Sequence, residues 1–373
     1  MAGPTTIREV RVERLDLVLR EPFGISGGAQ VRAENLLVTV TLQDGTLGLG
    51  EAAPFPAFNG ETQAAAERAA QAAGASLIGV DARGWREAGA EIAAHAGGVG
   101  SARCALETAV LDALCRRARI PLWSLFGGAS TELRTDLTVT TGSLERASAA
   151  AAAIAARGFG VIKVKVGAEA LDADVARLCA VHRAAPACAL IVDGNAAFDT
   201  ATALRLCEAI RRHGLPVALL EQPVAAGDLD ALAAVSQSGG LTVAADESVS
   251  SAADARAIAE RQAAGVLNIK PMKCGFVEAL EIAAVARVHG LGTMIGAMVE
   301  SVLATSASAC FAAGLGGFDF VDLDTPEWFA HSPFRGGYRQ DGPRLLLDGI
   351  EAGHGVELQI HAGHPSRPRP GPR

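Results

Sequence analysis

From about residue 135 the chain alternates between two textures at a steady beat. Short apolar, β-branched runs recur as DLTVTTG (136–142), VIKVKVG (161–167), LIVDGN (190–195), VALLEQP (217–223), LTVAADES (241–248), VLNIKP (266–271), LGTMIGAM (291–298) and FDFVDLD (318–324). Between them lie Ala/Leu/Arg segments with apolar residues at helical spacing, such as LERASAAAAAIAARG and DTATALRLCEAIRRHG. The runs read as buried strands and the segments between them as helices. Gly158 and Gly214 stand just past the last helical residues, where a left-handed cap belongs. Eight such units, starting roughly 24 to 29 residues apart, predict a closed parallel barrel, the (β/α)8 plan or a close variant of it. An open doubly wound sheet is the alternative, but the phosphate-binding GxGxxG expected after its first strand is missing.

The first part has a different pattern. Alternating positions predict strands near 7–19, 35–43 and 46–51, with a hairpin turn at QDGT (43–46). Ala-rich helical stretches follow near 61–77, 84–96 and 101–118, and Pro121 with Gly127-Gly128 closes the region. The division is therefore an α+β domain over 1–130 and a barrel over 131–333. The Pro/Arg/Gly-rich tail, 362–373, has the composition of a disordered segment.

Composition narrows the function. With 33 Lys+Arg against 41 Asp+Glu the chain carries a net charge of −8, which disfavours nucleic acid and anionic membranes as partners. No apolar run approaches the ~20 residues of a membrane span, and the N-terminus has no apolar core of a signal peptide. The seven cysteines form no CxxC and fall in apolar helical patterns, as reduced core thiols of a cytoplasmic protein do.

The chemistry gathers at strand ends, where barrels build their active sites. Lys163 and Lys165 share one face of the second strand, inside an apolar run (Val161, Ile162, Val164, Val166) that belongs in a buried sheet. Asp193, Glu221, Asp246 and Lys270 end the next four strands, at steps of 28, 28, 25 and 24 residues from Lys165. Equal steps place them on one ring. A lone Asp at a strand end more often caps the following helix. Three carboxylates on consecutive strands repel one another, and a hard divalent cation, Mg²⁺ or Mn²⁺, removes the repulsion. His182, His213 and His289 fall on or after helices and read as surface or packing residues. Lysines on both sides of a metal–carboxylate centre suit proton abstraction next to a substrate carboxylate, and two bases, one per face, permit inversion. A neighbouring cation such as Lys163 lowers the pKa of Lys165 toward that of a base.

The motifs KVK (163–165), VDGN (192–195), EQP (221–223), ADES (245–248), NIKPMKCG (268–275) and GAMVES (296–301) resemble the enolase superfamily, and within it the muconate-cycloisomerase-like group. The resemblance covers nearly the whole chain. It implies a (β/α)7β barrel with an N-terminal α+β capping domain completed by residues near 334–360. It further implies one Mg²⁺ per site on Asp193, Glu221 and Asp246, and Lys165 and Lys270 as acid/base residues assisted by Lys163. Proton transfer would pass through an enediolate. Barrels of this group often form homo-oligomers, but no interface is readable here.

VDLDTP (321–326) looks like the Asp-x-Asp signature of dipeptide epimerases. By that likeness Asp322 and Asp324 hold the substrate's N-terminal ammonium, and the C-terminal residue's α-carbon lies between the lysines. Family members acting on Ala-Glu dipeptides carry an arginine in the first cap loop. Here the loop reads EPFGISGGAQ (21–30), with neither Arg nor Lys, and Arg20 and Arg32 only flank it. Phe23, Ile25, Phe55 and Phe58 make an apolar lid, with Met298 and Glu300 near the mouth, so an apolar dipeptide is expected. The alternatives are a muconate-type cycloisomerase and an N-acylamino-acid racemase or o-succinylbenzoate synthase, none of which uses two carboxylates against a free amine. Acid-sugar dehydration lacks its histidine at Lys270. A ligand-binding protein on a retired barrel should have lost a lysine or a ligand.

Overall fold

The computed structural model describes residues 3–25 and 28–359. The tail, and Ser26 and Gly27 of the first loop, lie outside the described residues. Three antiparallel strands open the chain, β1 (Ile7–Ile25), β2 (Gly28–Leu42) and β3 (Leu47–Ala52), in the order β1-β2-β3. Helices Gln63–Ser76, Trp85–His95 and Gly100–Ala118 pack on them around Leu36, Val38, Val40 and Leu106.

Sequence dictates one contact in this cap with unusual sharpness. The strand LGLGEA lies directly on helix 100–118 because Gly48 and Gly50 have no side chain. A Cβ on Gly50 would stand 1.9 Å from the Ala105 carbonyl oxygen, and one on Gly48 2.1 Å from that of Ala109. Backbone cannot yield as a flexible side chain can. Gly50→Ala should therefore lower stability by about 3 kcal/mol, the upper end of the overpacking range, as read from the urea midpoint at constant m-value.

A short strand β4 (Glu132–Arg134) leads into eight parallel strands: β5 (Leu137–Val139), β6 (Val161–Lys165), β7 (Ala189–Asp193), β8 (Val217–Glu221), β9 (Val243–Ala245), β10 (Val266–Ile269), β11 (Gly292–Gly296) and β12 (Phe320–Asp322). They lie in chain order, with one helix between each pair, which is a (β/α)7β barrel. Seven of the eight strands fall within their expected runs, and β7 begins one residue earlier, at Ala189. The outer strands, β5 and β12, meet at a seam. The Asp136 N–H donates to the Val321 carbonyl at 3.0 Å, the Leu323 N–H to Thr135 Oγ1 at 3.0 Å, and the Thr138 N–H to Asp324 Oδ2 at 2.7 Å.

Four short strands end the described chain: β13 (Phe334–Gly336), β14 (Arg339–Asp341), β15 (Arg344–Leu346) and β16 (Val356–Leu358). β15 pairs with β4, and β13 with β16. Phe334 and Val356 pack on Leu37 and Leu49 of the cap, while His354 Nε2 donates to the Leu49 carbonyl at 3.0 Å. On these contacts we assign the segment to the cap. All seven cysteines are free, and all but Cys179 are buried. Among the described residues no helix is long and apolar enough to cross a membrane.

Candidate active site

Strand register decides which side chains meet. On β6, Ile162 and Val164 face the helices, so Val161, Lys163 and Lys165 face inward. The lower inner layer is apolar: Ile191, Leu219, Ala244, Val266 and Met294, with Val161 and Phe320 against it. Two residues further along stand Lys163, Asp193, Glu221, Asp246 and Asp322, with the neutral amide of Asn268 on β10 and Gly296 on β11, and Lys165 and Lys270 lie above. All eight side chains are buried.

Lys163, only 1% exposed, lies 2.6 Å from Asp322, 2.8 Å from Glu221 and 3.0 Å from Asp193. Lys165 Nζ donates to Asp193 and Lys270 Nζ to Asp246, each at 2.6 Å. β6 and β10 are the second and sixth of eight strands, so Lys165 and Lys270 face each other across the ring, with Asp193, Glu221 and Asp246 on the strands between them. Burial opposes charge on Lys163, but Asp193, Asp322 and Glu221 outweigh it and hold its pKa well above the usual lysine value; Asp246 does the same for Lys270 against burial. Burial raises Asp193 but Lys163 and Lys165 bring it down to about 2, whereas burial and then Asp193 push Glu221 up to about 7.

The expected metal trio is not the tightest cluster. Among the described residues the carboxylate oxygens lying within 4.8 Å of one another belong to Asp136, Asp322 and Asp324. Asp193 and Asp246 are instead each engaged by lysines. The donor set nevertheless suits a hard divalent ion. It consists of buried carboxylates on consecutive strands, and Glu221 Oε2 accepts no hydrogen bond, its 2.8 Å approach to Lys163 being off the hydrogen-bond direction. Its other oxygen accepts from Asn268 Nδ2 at 2.8 Å.

Several residues here escaped the sequence reading. Lys273, one turn after Lys270, donates to Asp246 Oδ1 at 2.8 Å and to the Asn268 carbonyl at 3.0 Å. The signal was the second lysine of NIKPMK. Glu247 accepts from Asn195 at 3.2 Å, and burial followed by Asp246 pushes its pKa up to about 8. Gln222 Oε1 accepts from the backbone N–H groups of Asp246 (2.9 Å) and Ser248 (3.1 Å), fixing the Asp246 turn. Asn195, Ala196 and Gln222 have positive φ (40°, 61° and 32°), backbone strain of the kind that gathers at functional strand ends.

Phe23, Ile25, Phe55, Phe58 and Met298 close over Lys163, Lys165, Lys270, Asp322 and Asp324, leaving about 20 Å³, room for one water molecule. The Phe23 ring packs edge-on against Trp328 at 5.2 Å and lies 6.4 Å from Phe55. Phe58 covers Lys270, whose Nζ is 4.7 Å from the ring centre. Trp328 was not foreseen; it sits on a short 3-10 turn after Asp324. Glu300 is buried outside the cavity lining, accepting from the Met298 N–H at 2.8 Å. Arg20 does not line the cavity: its Nε donates to the Phe329 carbonyl. Arg32 pairs with Glu34 at the surface.

Comparison with known proteins agrees with this geometry. Residues 7–127 match the model of the mandelate racemase / muconate lactonizing enzyme N-terminal domain, and 145–362 that of the enolase C-terminal domain-like family. An aromatic dipeptide epimerase of Herpetosiphon aurantiacus is 50% identical over 355 residues, covering 95% of this chain and 99% of that one. The structure of a mandelate racemase/muconate lactonizing enzyme from Roseiflexus sp. superposes with a TM-score of 0.91 at 53% identity, covering 96% of this chain and 99% of that one. A dipeptide epimerase from Enterococcus faecalis, complexed with Mg and L-Leu-L-Tyr, superposes at 0.90 with 30% identity, covering 94% and 99%.

Proposed function

The chain belongs to the mandelate racemase/muconate lactonizing enzyme family of the enolase superfamily, and from that premise we propose that it epimerises dipeptides at the α-carbon of the C-terminal residue, favouring apolar side chains. The observation that carries this reading is the placement of Lys165 and Lys270 on opposite sides of one carboxylate ring, beneath a lid without a positive charge.

Asp193, Glu221 and Asp246 would hold one Mg²⁺. When bound, the ion supplies positive charge to the substrate carboxylate, so that negative charge can build up as the α-proton leaves. The chain's own groups do the rest. In one direction a neutral Lys165 or Lys270 takes the α-proton, and the other, protonated, returns one to the opposite face. Exchanging roles runs the reverse reaction. Lys163 stays charged and holds Asp193, Glu221 and Asp322 in register. Phe23, Ile25, Phe55 and Phe58 exclude water from the reacting centre. They offer an acidic side chain no partner, which separates this site from one built for Ala-Glu. Substrate must displace the lid to enter, because the closed cavity is far smaller than a dipeptide.

Asp322 and Asp324 meet the substrate ammonium, which counts against an N-acylamino-acid racemase. Asp324→Asn keeps an oxygen for the Thr138 N–H but removes the charge. It should lower kcat/KM for free-amine dipeptides roughly tenfold or more, in line with a lost charge-assisted hydrogen bond, and N-acetylated ones much less. Equal losses would remove the ammonium clamp. The reading as a whole is tested with a dipeptide library in deuterated water, by following α-deuterium uptake by mass. Apolar dipeptides should label fastest; faster labelling of acidic ones would overturn the stated preference.

A further inference from the structure

The two aspartates that face the substrate ammonium are already occupied in part. Asp322 Oδ2 accepts from Lys163 at 2.6 Å, and Asp324 Oδ2 accepts from the Thr138 N–H at 2.7 Å. A third carboxylate, Asp136, stands beside them. Its backbone pairs with Val321 across the seam, which sets it level with Asp322 inside the barrel. It is 2% exposed and stands behind the lining of the closed cavity, which Thr138, Asp322 and Asp324 reach, and neither of its side-chain oxygens has a hydrogen-bond partner. One oxygen from each of the three residues lies within 4.8 Å of the other two.

Geometry then limits what can sit among them. Three points at most 4.8 Å apart lie around a centre no more than about 2.8 Å from each, which is the length of an N⁺–H···O⁻ hydrogen bond. A primary ammonium has three donors. Neither of the lysines nearby is placed to fill the position, since Lys163 is shared among Asp193, Glu221 and Asp322, and Lys165 is held by Asp193.

We propose that Asp136 is a substrate-binding residue, the third wall of a carboxylate cradle that takes one N–H of an unsubstituted N-terminal ammonium on each side. The inference rests on the dipeptide-epimerase reading and extends it. A clamp of two carboxylates asks only for positive charge, whereas a cradle of three also asks for three N–H bonds. The chain therefore selects primary amines against N-methylated ones as well as against N-acyl groups. The cradle is kept at the expense of the free protein, because a buried carboxylate without partners destabilises it.

The test combines substrate and protein changes. L-Alanyl-L-phenylalanine and its N-methyl and N,N-dimethyl derivatives are followed by α-deuterium uptake with wild-type enzyme and Asp136→Ala. With wild type, the first methyl group should lower kcat/KM at least fivefold and the second should lower it again. With Asp136→Ala, KM for the parent should rise about tenfold, the penalty of the first methyl should shrink below twofold, and the melting temperature should be equal to or above that of wild type. A residue with a purely structural role would lower the melting temperature and leave the methyl penalty unchanged. Turnover of the N-methyl dipeptide by wild type as fast as the parent, or an unchanged penalty in the variant, overturns the cradle while epimerisation stands. The wild-type series alone decides the matter if the variant fails to fold. Absence of uptake by wild type from any free-amine dipeptide would instead sink the epimerase reading, and this inference with it.

Discussion

Lys165→Ala and Lys270→Ala should each abolish epimerisation, by at least about 10³-fold, within the range that positioned acid–base groups contribute. They should differ from each other in what survives. Each variant keeps one amine on one face of the α-carbon. In deuterated water, Lys165→Ala should still exchange the α-proton of the isomer that presents it to Lys270, and return deuterium from the same side. Lys270→Ala should exchange only the other isomer. The prediction follows from position: β6 and β10 are four strands apart in a ring of eight, so neither lysine can reach around to the other's face. Full loss of exchange from both isomers in both variants would mean that proton transfer from either side needs both amines. Inversion at wild-type rate in either variant would remove the two-base mechanism.

Removing divalent metal should have an effect of similar size with a different signature. Asp136, Asp193, Glu221, Asp246, Glu247, Asp322 and Asp324 crowd around Lys163, Lys165, Lys270 and Lys273, and burial with mutual repulsion pushes Glu221 up to about 7 and Glu247 up to about 8, a strain that a divalent cation would relieve. A chelator should abolish α-exchange with every substrate, and Mg²⁺ should restore it. Because the ion would bind the folded chain alone, Mg²⁺ at a hundred times its dissociation constant should stabilise the protein by about 2.7 kcal/mol. Asp246→Asn should lose both the activity and the stabilisation. An unchanged melting curve on adding Mg²⁺ to wild type would contradict a resident ion on these carboxylates.

The barrel was legible because its rule is local. A buried parallel strand must be apolar on both faces, so a charge within one is conspicuous, and the 28-residue steps from Lys165 to Asp193 and on to Glu221 place such charges on one ring. Lys163 and Lys165 stood out on that ground. What could not be read depends on contacts across the seam or between loops. Asp136 stands just before its strand, where an acidic residue has many ordinary readings; its neighbours Asp322 and Asp324 are 186 and 188 residues further along. Trp328 follows a proline in a short turn and meets Phe23 only because the cap folds over the barrel. How the carboxylates divide themselves between the two lysines is likewise a matter of contacts between strands. Asp193 binds both lysines, and Lys163 is held charged by three carboxylates.

The bond from the Thr138 N–H to Asp324 makes one side chain answer to two demands. It closes the sheet on itself where β5 meets β12, and in the proposed reaction it would also face the incoming amine. Divergence at position 324 is therefore confined to residues that can still accept that N–H. An aliphatic side chain there would leave the buried Thr138 N–H unpaired, at a cost of about 1–3 kcal/mol. Altered tastes in this lineage should arise first in the aromatic roof, where Phe23, Phe55 and Phe58 can change without unstitching the sheet.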